Sequence, residues 1–177
     1  MDRKDFLRLS LGGLVALTFV CTRSKYERLK QINEGIYAFG ELNLAEGQNA
    51  ALLVHPYFVK LDEEPKYFQN LEEFIPEYDG TLITLESYIK LERTASRIAS
   101  LGRVRNAVFV PSEIFNPTPQ GITWDELTNF LRRFDKSLLK LLGGFYRGEN
   151  KGCLGVVEYE LNSRNLETEV LHEIIFS

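Results

Sequence analysis

The sequence is poor in the residues that staple or metallate small domains. It has two cysteines, Cys21 and Cys153, and two histidines, His55 and His172. No cysteine or histidine pair stands at the spacing of a structural zinc site. Cys21 ends an N-terminal stretch that reads as a targeting segment. Removal of that stretch would leave one thiol and no internal disulfide, which excludes a disulfide scaffold. Lysine and arginine never cluster, and the formal net charge is −4 with a pI near 5.4. Nucleic-acid binders draw most of their affinity from a basic face, so a nucleic-acid partner is not expected. Internal repeats and low-complexity tracts are also missing. So are a Walker loop and the dinucleotide fingerprint. This inventory predicts neither a metal site nor a cofactor.

What is present is ordinary globular material: 177 residues, 44% hydrophobic and 26% charged. Domains commonly run to about 100–200 residues, so one domain is expected. A chain of this size buries enough apolar surface to fold without staples. The sequence predicts three parts: a signal peptide or membrane anchor over 1–21, a connector over 22–45, and a single α/β domain over 46–177.

Residues 1–8 are cationic and residues 9–21 are mostly apolar, the layout of a secretory signal. The apolar part is too short for an ordinary spanning helix, which needs about 20 residues. The string Arg3-Lys4-Asp5-Phe6-Leu7-Arg8 resembles a twin-arginine export signal, with Lys4 in place of the second arginine. Gly12-Gly13 inside the apolar stretch resembles the same signal class. A lipoprotein box would make Cys21 the lipidated residue, although Phe19 and Val20 stand where small residues are expected. The implied location is outside the cytoplasm, on the periplasmic or extracellular face of a membrane, tethered or cleaved. In the connector, Leu29 and Ile32 have helical spacing, and Gly35 and Gly40 interrupt the chain after them.

From residue 50 onward, apolar runs alternate with amphipathic segments. Strands are predicted at Ala50–Val54, Thr81–Leu85, Asn106–Val110, Leu138–Leu142 and Val170–Phe176. Helices are predicted at Lys66–Ile75, stopped by Pro76 and Gly80, and at Glu86–Leu101, with Tyr88, Ile89, Ala95, Ile98 and Ala99 inward. A third helix starts at Thr123, where Thr123 and Glu126 form a capping box. It carries Trp124, Leu127, Phe130, Leu131 and Phe134 as an apolar stripe. A fourth spans Gly152–Leu161. Alternation of this kind predicts a three-layer α/β fold, a mainly parallel five-stranded sheet with helices on both faces.

Open parallel sheets bind ligands beyond the carboxyl ends of their strands. Those ends carry His55, then Glu86 with Ser87, then Ser112 with Glu113, then the stretch from Gly143 to Cys153. His55 titrates near neutrality and suits a base or a ligand contact. His172 falls inside the last predicted strand and reads as packing. The run from Gly143 to Gly155 is glycine-rich and joins a strand to a helix start. Backbone donors and the dipole at a helix N-terminus attract anions, and Arg147, Lys151 and Gly152 would complete such a cradle. Cys153 falls in the first turn of that helix, where the dipole favours thiolate.

A strand, a glycine-rich loop and a cysteine that opens a helix resemble the isochorismatase-like cysteine hydrolases, over roughly residues 50–177 in element order. The resemblance implies that Cys153 is a nucleophile. The family's aspartate after the first strand is replaced by His55, and its lysine after the third by Ser112 and Glu113. Catalysis would then need His55 or Glu113 as base. Three functions are compatible with these residues. The incomplete set favours a non-catalytic module that binds a small ligand or a protein. A Cys153 hydrolase is the second reading. The third is a subunit of a homo-oligomer that pairs through the edge of its last strand.

Overall fold

Ala50–Val54 is five apolar residues in a row, and a strand with that pattern must be covered on both faces. In the computed structural model it lies near the middle of the sheet, and all five residues are buried. The structure describes residues 36–38, 49–102, 106–113, 116–134 and 138–176. The expected signal segment at 1–21, with Cys21, lies outside the described residues. Among the described residues no helix is long and apolar enough to cross a membrane.

In chain order the elements are β1 Ile36–Ala38, β2 Ala50–Val54, α1 Pro65–Glu77, β3 Thr81–Ser87, α2 Leu91–Ser100 and β4 Asn106–Ser112. They are followed by α3 Trp124–Leu131, β5 Leu139–Gly143, α4 Gly152–Asn162, β6 Thr168–Val170 and a 3-10 turn at His172–Ile174. The sheet runs β1-β4-β3-β2-β5-β6, and every pairing is parallel. The chain steps from β2 through β3 to β4, then returns past β2 to β5 and β6. Right-handed crossovers on a path that reverses place helices on opposite faces. Accordingly α1 and α2 pack on one face with Leu53, Leu82 and Phe109. On the other face α3 and α4 pack with Leu52, Ile83 and Val108. The three-layer parallel α/β fold is the one expected from the sequence.

Several details differ from expectation. The sheet has a sixth strand, β1, drawn from the stretch read as connector. The last strand is not Val170–Phe176. Pairing with β5 ends at Val170, and the chain turns at His172–Ile174 before Phe176 bridges to Phe145. His172 is exposed on that turn, with its ring edge-on to Tyr146, and is not strand packing. The second helix starts at Leu91, because β3 continues through Glu86 and Ser87. Ile89, expected inward, is 82% exposed. Pro76 does not stop α1, which runs on to Glu77. A proline there costs one hydrogen bond in the last turn, where carbonyls already begin to lose partners. Pro111 sits inside β4 past Phe109, the last residue that β1 pairs with.

Candidate functional site

The path of the chain reverses between β2 and β5, so their carboxyl ends flank the switch point of the sheet. His55 follows β2 with φ of 44°, a left-handed conformation that is uncommon for a residue with a side chain. Its backbone N–H still donates to Leu85 O at 2.9 Å, continuing the ladder. Its ring extends over the end of β3 to Ser112 on β4, with Nε2 2.9 Å from Ser112 Oγ. Both residues are 1% exposed. Nδ1 is buried and has no hydrogen-bond partner among the described residues. Burial first, and the nearby Lys90 cation second, push the imidazole down to about 4. His55 is therefore neutral at physiological pH.

Glu86 is 1% exposed at the end of β3. A carboxylate tolerates such burial only when its oxygens are hydrogen-bonded. Ser87 N–H donates to Oε1 and Thr94 Oγ1 donates to Oε2, each at 2.7 Å. Burial still raises its pKa, against the opposing pull of those bonds and of Lys90. Thr94 is a polar residue on the inner face of α2, and that misplaced polarity was the signal in the sequence for a buried carboxylate. Ser112, expected to hold a ligand, is the hydrogen-bond partner of His55. Glu113 is exposed, and its backbone N–H donates to Thr118 O at 3.2 Å.

The loop from β5 to α4 closes on itself. Gly143, Gly144 and Gly152 have φ of 73°, 68° and 76°; a Cβ at Gly152 would collide with the Phe145 carbonyl, and at Gly143 or Gly144 it would crowd Val54 O at 3.0 Å. This lets Phe145 double back across the start of α4. Leu154 N–H donates to Phe145 O at 3.1 Å, and Phe145 N–H donates to Cys153 Sγ at 3.0 Å. One donor of the expected anion cradle, Leu154 N–H, is thus taken by the chain's own carbonyl. Arg147 is exposed and lies over the Phe145 ring, 4.6 Å from its centroid, and Lys151 is exposed at the N-cap. Neither they nor Gly152 converge on an open site.

Cys153 is partly buried in the first turn of α4, as expected. Its thiol is pushed up, by burial first and by neighbouring Glu86 as well, against the opposing effect of backbone donors. The dipole does not prevail, because desolvation of a thiolate outweighs it. His55 is engaged with Ser112 and Glu113 points to solvent, so neither is paired with the sulfur. The structure thus brings His55 to Ser112, and Glu86 to the neighbourhood of Cys153. It leaves Glu113, Arg147 and Lys151 outside.

Two turns carry apolar side chains onto this same edge. Phe58 is 38% exposed, Leu61 57% and Ile89 82%. Lys90 Nζ lies over the Phe58 ring, 4.5 Å from its centroid. The opposite, amino edge holds a depression of about 530 Å³ lined by Leu138, Asn162, Asn165, Leu166, Glu167 and Thr168. It contains none of the candidate residues. Among the described residues no group of three or more His, Cys, Asp or Glu could hold a metal ion. No family model matches the chain, and no curated protein and no solved structure matches it significantly.

Proposed function

We propose that this chain is a non-catalytic binding module of an exported or membrane-tethered protein, which meets its partner through the carboxyl edge of the sheet. The observation that carries this reading is the exposure of Phe58, Leu61 and Ile89 on the turns after β2 and β3. Exposed apolar groups gathered on one edge mark contact surfaces. Lys90 lies over Phe58 and Lys60 is paired with Glu63, so charges of both signs border the apolar groups. The N-terminal segment supports the location, since its cationic start and short apolar stretch suit export.

The hydrolase reading rests on Cys153 in the first turn of α4. Against it stand a raised thiol pKa and a sulfur whose hydrogen bonds go to the Phe145 backbone, not to His55, Glu86 or Glu113. Alkylation of the full chain carrying Cys21→Ser separates the two. A binding module predicts slow reaction with a midpoint above the ordinary thiol value of about 8.5. Fast reaction with a midpoint below about 7 establishes an activated thiolate and rejects the module. Cell fractionation of the full chain tests location: recovery in the cytoplasmic soluble fraction alone overturns the exported assignment.

A further inference from the structure

We propose that His55 is an acid-sensitive latch on the carboxyl edge: neutral, it ties the turn after β2 to β4 through Ser112, and once protonated it leaves Ser112 and the turn opens. This does not rest on the binding reading and holds whatever the edge contacts.

The geometry makes His55 a hub. Its ring bonds Ser112 on β4 and stacks on Phe58 at 6.4 Å between centroids. Phe58 in turn stacks on Phe176 at the C-terminal end and lies under Lys90 at the start of α2. His55 and Phe58 together therefore join β4, the β2 turn, the β3–α2 turn and the C-terminal end. The backbone at His55 is left-handed, with φ of 44°, a strained conformation that these contacts offset and that opening would relieve.

A charged ring has no counter-ion in that position. Lys90, on the adjoining turn, is a like charge. Glu86, on β3, is committed to Ser87 N–H and Thr94, and burial raises its pKa, so acid takes its charge sooner than from a free carboxylate. The Glu113 backbone, just past β4, favours the charged ring, but its carboxylate is exposed, and exposed Lys60 on the β2 turn is paired with Glu63. Cys153 on α4 is an uncharged thiol in acid. The closed form holds His55 below its ordinary 6.5, so closure is fully favoured above that value and weakens as pH falls towards about 4. The open form, with an ordinary histidine, gains on the closed one by roughly 100-fold across that window.

The test uses the full chain. The imidazole carbon–proton resonances of His55 and of exposed His172 are followed by NMR from pH 8 to 3.5, with amide exchange measured in parallel. The expected result is that His55 stays neutral well below the ordinary histidine range and charges only near pH 4. Exchange at Tyr57, Phe58 and Lys60 should speed up by about 100-fold beyond its intrinsic pH dependence as His55 charges, with the sheet still protected. His55→Gln should abolish that acid response. If His55→Gln does not fold, Ser112→Ala keeps the ring but removes its partner, and opening should move to higher pH. An ordinary His55 midpoint, opening that persists in His55→Gln, or an unmoved response in Ser112→Ala overturns the latch.

Discussion

Two glycines with similar backbones separate conformational strain from crowding. Gly121 has φ of 80° and open space where a Cβ would stand, whereas at Gly152, φ 76°, a Cβ would lie 2.1 Å from the Phe145 carbonyl oxygen. Gly121→Ala should cost about 1 kcal/mol, the left-handed penalty alone. Gly152→Ala should cost about 2–4 kcal/mol, because the loop must also withdraw from the helix start. Urea denaturation of both variants checks the difference; equal losses would show that the close approach at Gly152 contributes nothing. The glycines of this loop were legible as a break between strand and helix. Their purpose was not, since a cradle open to an outside anion and one with a donor taken by Phe145 need the same residues. His55 was legible by position only. Its partner, Ser112, lies 57 residues on, and nothing local to either residue announces the pair.

Elements with a local signature were legible in the sequence, and those set by distant contacts were not. Thr123 and Glu126 do form the reciprocal cap: Glu126 N–H donates to Thr123 Oγ1 at 3.2 Å, and Thr123 N–H donates to Glu126 Oε2 at 2.7 Å. Thr123→Ala should destabilise the protein by about 1 kcal/mol, lowering the melting temperature by roughly 2–4 °C. These bonds hold the Glu126 carboxyl below its ordinary range. The contribution it makes is present above the unfolded carboxylate pKa and fades as acid protonates it. A scan at pH 7 and at pH 3 checks this, since the Thr123→Ala penalty should shrink at the lower value. By contrast, the pattern cuts β3 short at Leu85 because Glu86 and Ser87 look like solvent residues. Thr94, one element later, joins the Ser87 N–H in making the burial of Glu86 tolerable. The final run from Val170 to Phe176 is apolar enough for a strand, yet after Leu171 N–H donates to Leu141 O of β5 the chain turns away, and Ile174 and Phe176 cover α1's face. Ile36–Ala38 is too short between its flanking glycines to signal a strand by pattern alone.

At the scale of the whole molecule, one sheet serves two cores. Leu52 and Leu53 are neighbours in β2 and fully buried, yet they belong to opposite faces. Leu52→Ala and Leu53→Ala should each cost about 2–5 kcal/mol, since each leaves a cavity that the sheet cannot close. Both should lower one shared unfolding transition, because either layer lost exposes the same strands. Two separated transitions in denaturant, one per variant, would show that the faces unfold independently. The order of the strands has a further consequence. Among the described residues the two outermost strands, β1 and β6, are three residues each, while the inner ones are five or seven. The strands with free edges are those with the least backbone to lend. A second chain that tries to template on β6 finds a few amide groups, a central exposed Glu169, and then a turn that leads away. A sheet finished in this way resists growing by addition of its own copies, so light scattering should report an unchanged mass from micromolar to millimolar protein.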